Sequence, residues 1–219
     1  MVKFYTDNIY FFSDFHAKHS KSFILEPRGF KDADEGLNIV IKNWNEKVPT
    51  NAIAFLLGDT VVGAGRDSHQ VFNDILNSLN FSELYIMPGN HNAGFRQCFE
   101  ANYNTGKIDS EYKLTFSLNG GNKLVHLIPN YFEIFIQGYM FVLSHYPILS
   151  YNGLSKDTIH IFGHSHSNLK NSPIGREYLK GRVIEVCPES TNNLPLSFKE
   201  ILSVMSNKKS LEIDHHGQD

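Results

Sequence analysis

Cysteine is scarce in this sequence, and so are the long apolar runs that a membrane-spanning segment needs. Cys98 and Cys187 are the two cysteines in 219 residues, and neither has the spacing of a zinc or redox motif, so we expect two reduced thiols. The longest apolar runs, such as 51–57, have the length of a strand, and the first residues lack the pattern of a secretory signal. These absences predict a cytoplasmic protein with no membrane partner.

The sequence also lacks an excess of positive charge. Twenty lysines and arginines stand against 23 aspartates and glutamates, which gives a formal net charge of −3. Proteins hold a long nucleic acid mainly through lysine and arginine contacts to phosphates, so DNA or RNA is disfavoured as a partner unless a local basic patch exists. With 41% hydrophobic residues, we predict a single domain over 1–206 and a polar, flexible tail over 207–219.

The first half of the chain alternates strand and helix patterns. Strand-like apolar runs at 8–14, 52–57 and 83–87 are separated by apolar residues at helical spacing, over about 33–47 and over 72–79. The connections between these segments are short. This order predicts parallel strands covered by helices.

The second half favours antiparallel strands. Two pairs of runs flank turn-forming residues, namely 112–118 with 123–128 and 131–136 with 139–143. Further strands are expected at 158–162 and 181–186. Ser197 and Glu200 form a capping-box pattern that predicts a C-terminal helix. The whole pattern indicates an α/β fold with a parallel half, an antiparallel half and flanking helices.

Five predicted strand ends carry residues that can bind a metal ion. In chain order these are Asp14 with His16, Asp59, Asn90 with His91, His145, and His164 with His166. Binding sites collect at the carboxyl ends of parallel strands, and imidazole, carboxylate and amide oxygen suit borderline divalent metals. Each piece alone has a plainer interpretation as a cap, a turn or a packed histidine. Five such pieces, each just past a predicted strand, predict a site for two metals.

The stretch Gly163-His164-Ser165-His166 follows directly on a predicted buried strand. If the segment stays extended, residues two apart point to the same side. We therefore expect His164 and His166 to face two adjacent metals, with Ser165 pointing away.

The set of motifs resembles the calcineurin-like metallophosphoesterase superfamily, in which D-x-H, G-D, G-N-H, a lone histidine and G-H-x-H follow one another. Here they stand as Asp14-Phe15-His16, Gly58-Asp59, Gly89-Asn90-His91, Ser144-His145-Tyr146-Pro147 and Gly163-His164-Ser165-His166. Three further features are similar to the small phage and bacterial branch of that superfamily: His19, Arg28-Gly29-Phe30 and Trp44-Asn45. The resemblance covers roughly residues 12–168.

The resemblance implies a four-layer α/β/β/α sandwich of two mixed β-sheets flanked by helices. It also implies two sets of ligands joined by one carboxylate: Asp14, His16 and His166 for one metal, Asn90, His145 and His164 for the other, and Asp59 as the bridge. Manganese is the expected metal, and iron, zinc or nickel suit the same ligands. His91 is similar to the catalytic acid of the family, which protonates the leaving oxygen.

The implied activity is phosphoester hydrolysis, by a phosphatase or phosphodiesterase, through in-line attack of a metal-bridging hydroxide. Two divalent ions outweigh the charges of Asp14 and Asp59, so the site would prefer an anionic substrate, and we expect a nucleotide-like or other small phosphoester. A metal-dependent nuclease is the alternative, and it needs a basic groove. A non-catalytic binding scaffold is a further alternative, and the complete ligand set argues against it.

Substrate contacts are less defined by the sequence. His19 and Arg28 are the candidates, and the segment 95–130 is the expected specificity element. Phe95, Phe99 and Tyr103 could stack on a base, although their spacing favours a helix face on the core. Asn92 stands where relatives carry an acidic residue after G-N-H, which puts the orientation of His91 in question.

Overall fold

The computed structural model of the protein describes residues 1–63, 67–91, 93–104, 106–109 and 113–211. Twelve strands lie within this part of the chain: β1 Val2–Phe4, β2 Ile9–Phe12, β3 Ile53–Leu57, β4 Glu83–Met87, β5 Lys107–Ile108, β6 Leu114–Leu118, β7 Lys123–Leu127, β8 Tyr131–Ile136, β9 Tyr139–Ser144, β10 Ile159–Phe162, β11 Val183–Glu185 and β12 Leu196–Ser197. Seven α-helices accompany them: α1 Ser22–Arg28, α2 Ala33–Lys47, α3 Ser68–Ser78, α4 Ala93–Asn102, α5 Pro173–Tyr178, α6 Pro188–Thr191 and α7 Phe198–Met205. None of the described helices has the length and apolarity needed to cross a membrane.

The strands form two mixed sheets. A seven-stranded sheet has the order β12-β2-β3-β4-β7-β6-β5, and a five-stranded sheet has the order β1-β8-β9-β10-β11. Strands β2, β3, β4 and β7 run parallel in the first sheet, and β9, β10 and β11 run parallel in the second. The predicted α/β class, with two mixed sheets and flanking helices, is confirmed.

Apolar side chains are buried in three layers. One cluster, which includes Trp44 and Phe72, lies between the seven-stranded sheet and helices α2, α3 and α4. A second cluster, which includes Phe11 and Ile161, lies between the two sheets, and a third around Tyr178 covers the outer face of the five-stranded sheet. Each large apolar side chain buried in this way contributes about 1.5–3 kcal/mol. The sheets are therefore held rigidly enough to position the loops at their edges.

Local signals that were strong in the sequence appear in the structure. Helix α2 spans the predicted residues, and the capping box of Ser197 and Glu200 begins α7. The Trp44-Asn45 pair ties α2 to the turn before β4, since Trp44 Nε1 donates to the Asn80 carbonyl at 2.8 Å and Asn45 Oδ1 accepts from the Asn80 amide at 2.7 Å.

The two halves of the sequence do not form separate sheets. Strand β1 pairs in parallel with β8, and the antiparallel strands β5, β6 and β7 extend the sheet of the first half. Helix α1 and the short strands β1, β5 and β12 are not apparent from the sequence pattern. The strands have only two or three residues, and α1 contains Pro27, which breaks the expected helical pattern.

The first residues of the predicted flexible tail, 207–211, are in contact with the domain. Lys208 Nζ donates to the carbonyls of Leu179 and Val183 at 2.9 and 2.6 Å, and Leu211 packs against the third apolar cluster. Residues 207–211 therefore contact the domain. The remainder of that segment, 212–219, lies outside the described residues.

A buried histidine supports the outer layer. His160 lies between Ser144 Oγ, 2.8 Å from its Nε2, and Tyr178 Oη, 2.7 Å from its Nδ1. Ser144 Oγ also lies 2.6 Å from the Tyr146 carbonyl and Tyr178 Oη lies 3.1 Å from the Ile148 carbonyl, so the neutral ring donates to one hydroxyl and accepts from the other. Burial lowers the pKa of His160 to about 3. The side chain is therefore neutral in the folded protein at any pH above that value.

The depressed pKa of His160 predicts acid sensitivity. Below pH 6.5, His160 takes up a proton in the unfolded chain, whereas in the folded protein it stays neutral until about pH 3. The free energy of unfolding therefore decreases as the pH falls through this range. Between pH 6 and 4, the free energy of unfolding of the wild-type protein should decrease by about 1 kcal/mol more per pH unit than that of His160→Gln. Urea unfolding of the two metal-free proteins at several pH values measures this difference. If the free energy of unfolding depends on pH equally in both proteins, the prediction is wrong.

Candidate metal centre

Loops at the carboxyl ends of β2, β3, β4, β9 and β10 meet at one edge of the two sheets. They bring all seven predicted ligands into one cluster: Asp14, His16, Asp59, Asn90, His145, His164 and His166. The five motifs are separated by up to 150 residues in sequence, so the two sheets create this proximity.

The first group of donor atoms comes from Asp14, His16 and His166. His16 Nε2 lies 3.1 Å from His166 Nε2 and 3.4 Å from Asp14 Oδ1. His166 Nε2 lies 3.7 Å from the same Asp14 oxygen. One carboxylate oxygen and two imidazole nitrogens therefore face a common point.

The second group comes from Asn90, His145 and His164. Asn90 Oδ1 lies 2.9 Å from His145 Nε2 and 2.8 Å from His164 Nδ1. The proton of His145 is on Nδ1, because Nδ1 contacts the Leu57 carbonyl at 2.8 Å and must donate there. Its Nε2 lone pair therefore faces the amide oxygen of Asn90.

Asp59 lies between the two groups. Its Oδ2 is 3.5 Å from His16 Nε2, and its Oδ1 is 3.5 Å from His145 Nε2. The backbone amide of His91 donates to Oδ1 at 2.8 Å, which fixes the orientation of the carboxylate. Each oxygen of Asp59 thus faces a different group, as a bridging ligand requires.

The donor atoms could hold divalent cations. An ion with ligands about 2.1 Å away has neighbouring ligand atoms about 3.0–3.4 Å apart, the edge of an octahedron or tetrahedron. The distances within the two groups run from 2.8 to 3.7 Å and so lie around that edge length. In addition, Asp14 Oδ1 is buried without a hydrogen-bond partner among the described residues, although it is the charged oxygen that faces His16 and His166. A cation at this point would satisfy it.

Both carboxylates are held in the charged form. Burial alone would raise the pKa of Asp14, but its interaction with His16 and the charges of His145 and His166 hold that pKa well below its ordinary value. Burial also acts against ionisation of Asp59, whose pKa is nevertheless lowered by His145 and by the His91 amide. Two ionised carboxylates among four imidazoles give this cluster the charge and the lone pairs that suit a positive ion.

Two glycines of the motifs allow the carboxylates their positions. A Cβ atom on Gly163 would overlap Asp14 Oδ2 and Ser13 Oγ, and a Cβ atom on Gly89 would overlap the carboxylate and amide of Asp59. Each carboxylate is therefore in contact with the backbone of another motif. The glycines in G-N-H and G-H-x-H are required by this close approach.

Five of the seven candidate ligands have a left-handed backbone conformation. The φ angles are 54° for Asp14, 53° for His16, 48° for Asp59, 69° for His164 and 47° for His166. The prediction that His164 and His166 lie on one side of an extended segment is therefore wrong, since β10 ends at Phe162 and a turn follows. The turn brings both rings to the cluster, and His164 contributes Nδ1 while His166 contributes Nε2.

His91 and His19 line the cleft beside this cluster. The His91 ring contacts the rings of His16 and His19 edge-on, with centroids 5.3 and 6.4 Å away. A ring nitrogen of His91 also lies within 4.8 Å of donor atoms on His16 and Asp59. His91 is therefore placed beside the candidate ligands, where the predicted catalytic acid is expected.

Arg28 does not line the cleft as a substrate contact. Its side chain is only 1% exposed, and its Nε donates to Glu189 Oε1 at 2.8 Å while Nη1 donates to the Phe15 carbonyl at 3.1 Å. Its guanidinium therefore donates to groups of the protein itself. The predicted role of Arg28 in substrate binding is thus replaced by a role in holding Glu189.

Two glutamates near the centre are missed by the motif analysis. Glu189 contacts His166 Nδ1 at 2.9 Å, and Glu185 accepts from Ser165 Oγ at 2.6 Å and from the Ser167 amide at 3.1 Å. Both follow or end β11, the strand next to β10. The rule that polar residues at strand ends form sites, applied to the predicted strand 181–186, would have identified them.

The segment 95–130 contributes no described residue to the lining of the cleft. The cleft is lined instead by loop residues that follow β2, β3, β4 and β10, by α1 and by Glu189. Phe95 and Phe99 pack against the core from α4, as their spacing favours, and Tyr103 is 54% exposed. Asn92 lies outside the described residues.

Comparisons with known proteins identify relatives of the fold. No protein-family model matches the chain. The chain is 27% identical over 202 residues to the uncharacterized protein MJ1445 of Methanocaldococcus jannaschii, covering 92% of this chain and 93% of that protein. The crystal structure of AQ665, a protein of unknown function from Aquifex aeolicus, aligns with a TM-score of 0.59 at 19% identity, covering 90% of this chain and 98% of that one. These similarities support the fold alone, so the chemistry rests on the site residues.

Proposed function

We propose that the protein is a dimetal-dependent phosphoester hydrolase of the metallophosphoesterase fold. The observation that carries this proposal is the pair of donor groups joined by Asp59, whose two oxygens face one group each. The layered arrangement of helices, two mixed sheets and helices supports the same assignment. The five motifs that resemble the superfamily supply all seven candidate ligands of this cluster, which supports the proposal.

Each residue of the centre has a distinct task in this proposal. Asp14, His16 and His166 hold one ion, Asn90, His145 and His164 hold the other, and Asp59 joins them. Manganese is the expected metal, and when bound the two ions polarise the phosphoryl oxygens and lower the pKa of the attacking water. His91 gives a proton to the leaving oxygen, because its ring lies at the edge of the centre, where the cleft begins.

The cleft favours a small substrate. Its volume is about 750 Å³, which is in the range of small-molecule sites. Phe23, Ile24 and Pro27 supply an apolar wall, and Phe23 is 69% exposed, so a planar group of the substrate can stack there. A nucleotide-like or aryl phosphoester fits this combination of aromatic wall and metal centre.

A nuclease is less well supported. Among the described residues that line the cleft, Lys170 is the single lysine or arginine. Binding a long nucleic acid requires several such side chains along a groove. The charges around the centre therefore favour a small phosphoester over a polymer.

The proposal predicts metal-dependent hydrolysis. Metal-stripped protein should hydrolyse neither p-nitrophenyl phosphate nor bis-p-nitrophenyl phosphate, and added Mn²⁺ should restore turnover of at least one of them. The ratio of the two rates distinguishes monoester from diester preference. Bound metal is counted on the same samples, and a wild-type protein that binds two ions per chain without hydrolysing either ester or any nucleotide would contradict the activity. Failure to bind any divalent ion would overturn the centre itself.

A further inference from the structure

We propose that Glu189, held in place by Arg28, is the residue that fixes His166 as a metal ligand. This inference rests on the metal centre of the proposed function. It assigns a positioning role to Glu189, which lies outside all five motifs, and to Arg28, a predicted substrate contact. It starts from three short contacts among buried side chains.

The first contact determines which nitrogen of His166 is free. Glu189 Oε1 lies 2.9 Å from His166 Nδ1, and a carboxylate can only accept, so the Nδ1–H of His166 donates to it. The Nε2 lone pair then points at Asp14 Oδ1 and His16 Nε2, the other donors of the first group. A carboxylate behind a histidine ligand fixes the tautomer and the ring orientation in this way.

The second contact keeps Glu189 charged and immobile. Arg28 Nε donates to the same oxygen at 2.8 Å, and the two side chains are 1% and 5% exposed. A lone buried carboxylate is costly, and the adjacent guanidinium offsets that cost. Arg28 Nη2 lies farther from His166 Nδ1, at 3.4 Å, so the ring proton is directed at the carboxylate.

The third contact connects this pair to the other ligands of the same group. Arg28 Nη1 donates to the carbonyl of Phe15, which lies between Asp14 and His16 in the chain. Helix α6, helix α1 and two ligand loops are thereby tied to one guanidinium. Arg28 and Glu189 thereby connect the His166 ring to the Asp14-Phe15-His16 segment, in addition to the direct hydrogen bond from the His164 amide to Asp14 Oδ2.

Calorimetric titration of Mn²⁺ into metal-stripped protein tests the inference. Wild type should show two sites. In Glu189→Gln one of them should be weakened about 10–100-fold, the usual effect of losing a carboxylate behind a histidine ligand, and the other should be unchanged. Glu177→Gln, on the exposed surface of α5, is the matched control and should bind like wild type.

A second readout does not depend on metal. Long-range proton–nitrogen correlation spectra of the metal-free protein report which ring nitrogen of His166 carries the proton. Wild type should show the Nδ1–H form, and Arg28→Lys should show a mixture of both forms, because lysine cannot contact Glu189 and the Phe15 carbonyl at once. A merely structural role of the pair would leave this tautomer unchanged.

The outcomes separate the inference from the proposed function. If Glu189→Gln binds both ions like wild type and keeps the Nδ1–H form, the positioning role is wrong while the hydrolase remains. If Glu189→Gln does not fold, Arg28→Lys decides the question by the same two measurements. If wild type binds two ions but hydrolyses nothing, the activity fails and the positioning role is judged on affinity and tautomer alone. If wild type binds no ion, both proposals fail.

Discussion

Asp59→Asn is expected to lose phosphoester hydrolysis by about a thousandfold or more and to bind fewer than two divalent ions per chain. Asp59 offers one oxygen to each donor group, at 3.5 Å from His16 Nε2 and from His145 Nε2. Asparagine keeps the shape of the side chain but offers one oxygen, and its amide hydrogens face a nitrogen that should bind a cation. One ion therefore loses a ligand, the other keeps only a neutral amide oxygen, and the negative charge that attracts both ions is removed.

Turnover of an aryl phosphate with Mn²⁺, together with metal analysis of the dialysed protein, measures this loss. Asp157→Asn is a matched control, since it is the same chemical change on a side chain that is 81% exposed and remote from the cleft. Asp157 also has a φ of 63°, which asparagine adopts readily. Full metal content and full turnover in Asp59→Asn would show that the two donor groups are not joined through this residue.

His91→Gln is expected to keep both metal ions and to lose about 100-fold to 10,000-fold in turnover. The His91 side chain lies at the edge of the centre, while its backbone amide holds Asp59 and is unaffected by the substitution. If the ring protonates the leaving oxygen, the loss must depend on the leaving group. An alkyl phosphoester, whose leaving oxygen needs a proton, should lose far more than a p-nitrophenyl ester, whose leaving anion is stable without one.

The comparison of the two esters distinguishes the possible roles of His91. Loss of one metal ion would mean that His91 is a ligand, because a ring nitrogen lies within 4.8 Å of donor atoms on His16 and Asp59. Equal losses for both esters would remove the role of proton donor. His69→Gln on α3, outside the lining of the cleft, should leave both rates unchanged.

The helices and strands that were predicted from the sequence are those with a clear local pattern of apolar residues. Continuous apolar runs identified β3 and β4, and the polar residues just beyond them, Asp59 and Asn90, lie in the candidate centre because parallel strands end at one edge. The helical period around Trp44 predicted a helix over about 33–47, and α2 spans Ala33–Lys47. In each case the pattern that predicts the element lies within about twenty consecutive residues.

The features that the sequence did not reveal depend on contacts between distant segments. Arg28 and Glu189 are 161 residues apart, and nothing in either local pattern indicates that their side chains meet. Pairing of β1 with β8 likewise joins the first residues of the chain to the second half, and nothing in the local pattern indicates it. His164 and His166 were assigned to an extended segment because the strand before them gave no sign of where the turn begins.

The left-handed backbone at five of the seven candidate ligands limits which sequences this centre can tolerate. Asparagine, aspartate and histidine accept a positive φ more easily than other residues with a side chain, whereas valine, isoleucine and threonine accept it poorly because of the branch at Cβ. Residues branched at Cβ are therefore disfavoured at five positions, whether or not the centre binds a metal. These positions are Asp14, His16, Asp59, His164 and His166. Substitution at these positions is therefore biased toward glycine, asparagine, aspartate and histidine, and three of these four residue types can bind a metal ion, so the backbone alone favours retention of candidate ligands.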